Sequence, residues 1–570
     1  MNTCYKISNI IFFIIVFLPI TVFAQDKGLF IISYKGFVNG EDAGPEMHRT
    51  VMAGHFSATS GSATSDIAYI PEKPVEKDYI DYSKKIIKQV ANLSDGISIF
   101  YEADFNSLPV LEMTGENDTI LGYACSKAIT TLRSNKIEIW FTKELKVMGT
   151  PAYAYGVPEG LVLRVRRNNN WELSATQITG TIPEQEIIIP ENPGVKMDAK
   201  NYRHRITQNY VKRISIFNDE QICWGSKKKN PEFPAVDSVF RYAGGTVILK
   251  KIKLPYVTND YQVFAEVTQY SNGDAYDRTG TIFMINDESK ITMLTALNKG
   301  IDKVPFFAGR NGKKYEGMIA DDNFVPAVEL MRFFTSFGIG HFNDKVQVVD
   351  KSWQPKSHFK QEITEMLPFI KGEVWIGAFI GNYDAGGHKL SLDIVYYPGS
   401  QTIEENIPQT SQIIPLFNTL NFMEMAGQNY GTLFDRDSLE VSFEITDTSK
   451  DYFLRYITTG HGGWENGDEF VQKTNSIFLN DNLIFKYIPW RTDCMNYREF
   501  NPSSGNFWNG LSSSDYSRSG WCPGSVTIPN FIELGKLTAG KHSIRVAIPQ
   551  GKEEGTSFSA WAVSGVIIGK

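Results

Sequence analysis

Most of this chain alternates apolar and polar residues with a period of two. Leu439-Glu440-Val441-Ser442-Phe443-Glu444-Ile445 does so strictly, as do Leu390-Ser391-Leu392-Asp393-Ile394 and Ile544-Arg545-Val546-Ala547-Ile548. Successive side chains of a strand point to opposite faces, so each run sets one face on a core and the other toward water. Turns rich in glycine and asparagine, such as Ser271-Asn272-Gly273-Asp274, punctuate the runs. Only residues 80–90 and 362–370 read as short helices. A chain with this spelling closes into β-sandwiches rather than helix bundles. With 570 residues it has material for roughly three or four domains. Three blocks are expected: residues 25–241, residues 242–399, and residues 413–570 after a polar linker at 400–412. The last two read as β-sandwiches side by side, and the fold class as all-β.

The first residues carry a different pattern. Lys6 precedes an apolar run over residues 10–23, broken by Pro19 and Thr21, and Val22-Phe23-Ala24 offers small residues for cleavage before Gln25. This order predicts a cleaved signal peptide over residues 1–24 and export to the periplasm or beyond. The run is too short for a permanent bilayer span. Lys and Arg number 57 against 64 Asp and Glu, which gives no electrostatic footprint for nucleic acid or an anionic membrane. Four cysteines follow the leader, and in an exported protein an even number predicts two disulfides. Three pairings exist in principle. The sequence gaps favour Cys494–Cys522 and Cys125–Cys223.

The chemistry narrows by exclusion. The eight histidines are scattered and there is no Cys-x-x-Cys, so a protein-held metal is not expected, and neither is a cofactor. No Gly-x-Ser-x-Gly elbow is present. Gly460-His461-Gly462-Gly463 lacks the lysine and the strand-to-helix setting of a phosphate cradle. Paired cysteines cannot serve as thiolates. Carboxylates activating water remain. Two acidic turns stand before strands: Tyr276-Asp277-Arg278 and Gly467-Asp468-Glu469-Phe470. An arginine beside an aspartate favours the ionised form that a general base needs. Judged alone, each turn also reads as a solvated surface pair.

Ser517-Arg518-Ser519-Gly520-Trp521-Cys522-Pro523-Gly524 resembles the Arg-x-Gly-Trp-Cys-Pro-Gly signature of the peptide-N-glycosidase F family. Glu469-Phe470, followed by Thr474-x-Ser476-Ile477-x-Leu479-Asn480, resembles that family's Glu-Trp and the strand after it. Tyr276-Asp277-Arg278 resembles its Trp-Asp-Arg, and Leu392-Asp393-Ile394-Val395-Tyr396 the strand closing its first sandwich. The matches keep the family's order over residues 242–570. The resemblance implies two packed eight-stranded jelly rolls with the site in the groove between them. It implies cleavage of the glycan-bearing asparagine side-chain amide, with N-glycosylated proteins and glycopeptides as substrates and a monomeric enzyme. By the same resemblance Asp277 activates water, Arg278 orients it, and Glu469 binds the innermost sugar or assists proton transfer. Arg518 fixes the water or the glycan, with Trp521, Phe470 and His461 beside it on the substrate side.

The sequence also departs from the family pattern. A further glutamate is absent from Ala378-Phe379-Ile380-Gly381-Asn382-Tyr383-Asp384, where Asp384 is the nearest substitute. His461 replaces a tryptophan, and Val471 stands where a disulfide cysteine would be. These changes are expected to reshape the pocket around the innermost GlcNAc, with room for a differently placed core fucose. Within the first block, Gly122-Tyr123-Ala124-Cys125, Ile139-Trp140-Phe141-Thr142 and Gly156-Val157-Pro158-Glu159-Gly160-Leu161 resemble secreted GLPGLI-motif proteins. The block corresponds in place to the extra bowl-like domain of long family members, as a glycan selector or a stability module. Two rival readings stand beside the amidase: a non-catalytic glycan-binding protein of the same fold, and a glycosidase cutting between the two core GlcNAc residues.

Overall fold

The period-two runs become strands whose burial follows their spelling. In Leu439–Ile445, Leu439, Val441, Phe443 and Ile445 are buried while Glu440, Ser442 and Glu444 are exposed. The computed structural model describes residues 29–44, 46–52, 56–59, 74–181, 188–231, 237–257, 261–285, 291–398, 412–462, 467–506, 509–552 and 558–570. The expected signal peptide and nearly all of the expected linker lie outside them. No helix among the described residues is long and apolar enough to cross a membrane.

The chain divides into two units, Met1–Tyr210 and Val211–Lys570. The first is one large, almost wholly antiparallel sheet of 13 strands. Leu29–Val38 pairs with Trp171–Thr181 and joins its two meanders. Ile32, Tyr34, Leu163 and Leu173 form one core, and the helix Ala199–Tyr210 buries Tyr202 and Ile206 against Ala91 and Ile99. The helix expected over residues 80–90 is instead a hairpin of Val75–Asp81 and Ile86–Asn92. Asp81 stops the first strand by accepting from the backbone N–H groups of Ser83 and Lys84. Lys85, at φ 56°, turns the chain back. Apolar pairs at 79–80 and 86–87 suit either period, and the turn decides between them.

The second unit holds both sandwiches. In the first, Lys212–Ile222, His388–Pro398, Tyr261–Ser271 and Ser357–Glu362 form one sheet. The facing sheet runs Phe240–Tyr242, Val247–Leu254, Gly372–Ile380, Thr279–Ile285, Val328–Phe334, Val526–Thr527. The short end strands Phe240–Tyr242 and Val526–Thr527 extend an eight-stranded jelly roll. The second sandwich packs Gln412–Asn418, Ala560–Gly569, Tyr452–His461 and Asn530–Gly535 over Leu439–Ile445, Gly540–Ala547, Asn475–Leu479 and Asn482–Tyr487. The boundary expected at residue 241 falls at Tyr210, because Lys212–Ile222 pairs with His388–Pro398 inside the first sandwich. The second expected helix is a single turn, Thr364–Met366.

A buried polar network welds the sandwiches. Arg332, fully buried, pairs bidentately with Glu329 of its own strand. It also donates to Thr459 Oγ1 at 3.0 Å and to the Ala562 carbonyl, both in the second sandwich. Arg455 crosses the other way, to the Glu329 and Leu330 carbonyls at 2.9 and 2.8 Å and to Glu365 at 2.7 Å. Removing one partner of such a pair strands a buried charge, at a cost of about 3–5 kcal/mol.

One expected disulfide forms and one does not. Cys494–Cys522 closes with Cα atoms 5.1 Å apart. Cys125 and Cys223 are free and buried, one in each unit, and burial pushes both thiols up. The inferred Cys125–Cys223 pair is therefore corrected: an even cysteine count does not require every cysteine to be paired.

Candidate functional site

The Asp277 turn is built on a buried neighbour, Asp274. The Ser271 hydroxyl donates to the Asp274 carbonyl at 2.6 Å, and the Tyr276 N–H donates to Asp274 Oδ1 at 3.0 Å. Arg278 grips the same carboxylate with Nε on Oδ2 at 2.7 Å and Nη2 on Oδ1 at 3.2 Å. Burial raises the Asp274 carboxyl, but His388 and Arg278 outweigh it and hold it well below the usual range. Gln269 Nε2 lies 2.9 Å from His388 Nδ1, and His388 Nε2 lies 3.6 Å from Asp274 Oδ2. Burial lowers the His388 pKa, against the Asp274 carboxylate, which raises it. Arg278 is also pinned through its N–H to Thr335 Oγ1 at 2.8 Å. Asp277 thus sits on a rigid turn with its side chain 15% exposed.

The Glu469 turn has a parallel anchor. Asp468 is fully buried and accepts from Trp561 Nε1 at 2.7 Å and from the Gly551 N–H. The Ser519 N–H donates to the Glu469 carbonyl at 2.9 Å, tying the turn to the signature segment. The Glu469 side chain is 20% exposed.

Arg518 brings the two turns together. Its Nε donates to Glu469 Oε1 at 2.9 Å and its Nη2 lies 3.7 Å from Asp277 Oδ2. Its remaining donors reach the Ser513 and Tyr516 carbonyls at 2.7 and 3.1 Å. The guanidinium lies between aromatic faces, 5.1 Å from Phe470 and 4.9 Å from Trp521. Burial raises the Asp277 carboxyl from its ordinary value although Arg518 and Arg278 both pull it down. Burial lifts Glu469 up to about 7 against Arg518, with the Asp277 charge adding to the rise. Two carboxyls beside one cation favour keeping one proton between them at neutral pH.

The signature folds as it does to carry Arg518. The Gly524 N–H donates to the Phe334 carbonyl and the Phe334 N–H to the Ser525 carbonyl, so the segment is stitched to the first sandwich. Gly520 and Gly524 have φ 85° and 90°, and a Cβ on either would stand 2.6 Å from the Thr458 carbonyl oxygen or 2.8 Å from Ser336 Oγ. Only glycine fits there.

Two expected positions come out differently. Trp521 is 4% exposed, stacks on Phe334 at 4.1 Å and donates Nε1 to the Gly460 carbonyl. It supports Arg518 from beneath and does not present a face to a ligand. Asp384 turns Oδ1 onto its own loop, accepting from the Gly386 and Gly387 N–H groups at 2.7 and 2.8 Å. His461 bonds Thr459 at 2.8 Å, stacks near Trp521, and is driven down to about 3 by burial, so it is uncharged. Arg278 is held by Asp274 while standing beside Asp277 in the chain. Asp274, His388 and Asp468 had no distinguishing mark in sequence beyond proximity to a glycine-rich turn. Tyr276 and Tyr383, 61% and 58% exposed, flank Arg278 with ring centres 5.2 and 5.8 Å from its guanidinium. Among the described residues, no group of three or more His, Cys, Asp or Glu is arranged to hold a metal ion.

The comparisons with known proteins cover most of the chain. Residues 213–396 match the family described as peptide-N-glycosidase F, N terminal, and residues 429–568 match peptide-N-glycosidase F, C terminal. Residues 20–204 match the N-glycanase peptide N-terminal domain. Among solved structures, the chain is similar to PNGF-II at 40% identity, covering 95% of this chain and 99% of that one with a TM-score of 0.84. It is also similar to PNGase F, a glycosylasparaginase from Flavobacterium meningosepticum, at 16% identity, covering 63% of this chain and 96% of that one with a TM-score of 0.42. No curated protein matches the chain in sequence.

Proposed function

The chain belongs to the peptide-N-glycosidase F family, in the long form with an additional N-terminal domain, and from that premise we propose that it is a peptide-N4-(N-acetyl-β-glucosaminyl)asparagine amidase. It hydrolyses the asparagine side-chain amide, releasing the intact N-glycan as a glycosylamine and leaving aspartate. The observation that carries this reading is the bridge of Arg518 to Glu469 at 2.9 Å and Asp277 at 3.7 Å, one carboxyl from each sandwich.

Asp277 takes a proton from water, and the resulting oxygen attacks the amide carbon. A buried carboxylate raised from its ordinary value is a stronger base, and a positioned base contributes about 10² to 10⁴ in rate. The tetrahedral species collapses with cleavage of the C–N bond. Glu469, whose proton is held up to about 7, gives that proton to the departing nitrogen in its protonated form. The proton on Asp277 then returns to solvent and Glu469 is recharged. Arg518 stabilises the negative charge shared by the two carboxyls.

The protein acts as a monomer outside the cytoplasm on N-glycosylated proteins and glycopeptides. A disulfide at Cys494–Cys522 suits an oxidising compartment. The test is mass analysis of a treated glycopeptide in heavy-oxygen water. Aspartate carrying heavy oxygen is expected. A single GlcNAc left on asparagine indicates a glycosidase instead, and unchanged glycopeptide with measurable binding indicates a lectin. Either result overturns the amidase.

A further inference from the structure

A cleft of about 700 Å³ is lined by both sandwiches, and Gly520 of the signature forms part of its wall. Gly520 is two residues from Arg518, so their Cα atoms stand within about 7 Å of each other. Each of the four sheets of the two sandwiches presents an edge strand to this cleft: Ser357–Glu362, Val526–Thr527, Asn482–Tyr487 and Asn530–Gly535. An edge strand carries unpaired backbone N–H and C=O groups that another chain can use, and proteins blunt it with a bulge, a proline or a charge. Three of these edges are blunted. The register slips between Ile477 and Phe478 where Asn482–Tyr487 pairs, and between Tyr452 and Phe453 where Asn530–Gly535 pairs. The Val526 carbonyl accepts from Arg491 Nη1 at 3.3 Å.

The fourth edge is open. Ser357–Glu362 pairs with Tyr261–Ser271 without a bulge and holds no proline. Its Lys360 is drawn back over the sheet, with Nζ 2.9 Å from Glu266 Oε1 and 4.5 Å from the ring centres of both Phe264 and Tyr397. The strand's hydrogen-bond phase is set at its end. The Ile363 N–H donates to the Val263 carbonyl at 2.7 Å, and the Val263 N–H donates to Thr364 Oγ1 at 2.9 Å. Bonded and non-bonded pairs alternate along an antiparallel ladder, so Gln361 and Phe359 are the bonded partners of Ala265 and Val267. The N–H and C=O groups of His358 and Lys360 therefore point out of the sheet edge, and none of them bonds another described residue. Both residues line the cleft, as do Ile528 and Ile488, 73% and 44% exposed. The charges there are already paired, Lys360 with Glu266 and Arg491 bidentately with Asp493.

We propose that this cleft docks the polypeptide of the substrate, an extended stretch of which lies along Ser357–Glu362 as an added strand. The proposal rests on the amidase reading for the identity of that polypeptide. Main-chain hydrogen bonds give affinity without reading side chains, which suits an enzyme whose substrates share a glycan and not a sequence. The exposed isoleucines take apolar side chains of the added strand, and a cleft with no unpaired charge selects neither acidic nor basic chains. The glycosylated asparagine lies further along the same chain, so docking beside Gly520 raises its local concentration at the Asp277 turn.

The test uses the full chain with two cleft substitutions. His358→Pro removes one outward N–H and leaves the ladder to Tyr261–Ser271 in place, and Ile528→Asp changes an exposed position. In the first arm, Asp277→Asn protein is titrated with a long unglycosylated Asn-x-Thr peptide rich in valine and threonine, and separately with a reducing chitobiose-core glycan. Each cleft substitution is expected to weaken peptide binding about fivefold, the scale of one neutral hydrogen bond, and to leave glycan affinity unchanged. In the second arm, KM is measured for release of the same glycan from a long and from a three-residue glycopeptide. The ratio of the two values, long over short, is expected to rise about fivefold in each variant. Unchanged peptide affinity together with an unchanged KM ratio overturns the docking site. So does a loss of glycan affinity, which assigns the cleft to sugar. If His358→Pro unfolds the protein, Ile528→Asp decides alone. Failure of the amidase reading shows separately, as absence of aspartate with the unsubstituted enzyme, and the peptide titration still reads the cleft.

Discussion

The two carboxylate turns are built to one plan with different anchors. Each follows a buried aspartate, Asp274 in one sandwich and Asp468 in the other. Asp274 is engaged by the Arg278 guanidinium, whereas Asp468 is engaged by the neutral donors Trp561 Nε1 and the Gly551 N–H, with Lys473 3.5 Å away. The first anchor therefore leaves a cation beside its catalytic carboxyl, and the second does not. Asp277 feels two guanidinium groups, Arg518 and Arg278, while Glu469 feels Arg518 alone and the charge of Asp277 against it. When one proton is shared between the pair, it resides on Glu469. Similar turns thus yield a base and an acid, a division set by their supports rather than by the residues themselves.

That contrast sets the scale of what substitution should do. Asp277→Asn should keep the fold and lower release by about 10³–10⁴-fold, read as aspartate formed per hour by mass. Glu469→Gln should cost about 10²-fold at neutral pH and change the profile. The donor form of Glu469 is present below about 7 and lost as pH rises through it, so kcat should fall on the alkaline side in the unsubstituted enzyme. The Gln variant should lose that limb. Asp277 must be ionised, so the acid limb should lie at higher pH than an ordinary aspartate would place it and be absent in Asp277→Asn. Asp274→Asn should cost about 2 kcal/mol in thermal unfolding, since it leaves the partly buried Arg278 without its ion pair, and it should also move the acid limb. Asp468→Asn should cost about 1–2 kcal/mol and leave the acid limb in place. If both anchor variants move the limb alike, the electrostatic contrast is broken. Trp521→Phe should have the smallest effect, about 1 kcal/mol of stability from the lost bond to Gly460, with little change in KM.

The alternation in strands such as Leu439–Ile445 was readable because a half-buried strand writes its faces into consecutive residues. The turns carrying Asp277 and Glu469 were readable because they sit beside glycines and precede such strands. The partners of those turns were not. His388 reaches Asp274 from 114 residues away, Glu424 meets Tyr383 from 41, and Arg518 meets Glu469 from 49, contacts that only sheet topology creates. Asp384 looked eligible by position, but two backbone N–H groups of its own loop claim its carboxylate. The family resemblance puts Trp521 on the substrate side, and nothing in the sequence says that Phe334 covers it. The Cys125–Cys223 pair failed for a related reason: counting residues carries no information about distance.

The strand Val526–Thr527 has a consequence for how the molecule is made. It pairs with Arg332–Phe333 and finishes a sheet whose first strand is Phe240–Tyr242. A nascent chain cannot pair this last strand of the first sandwich's sheet until five of the eight strands of the second sandwich have been synthesised. The same late segment delivers Arg518 to Asp277. The residues of the site are therefore complete only once Arg518 has been made, and a chain cut short before it has neither a finished sheet nor an assembled site.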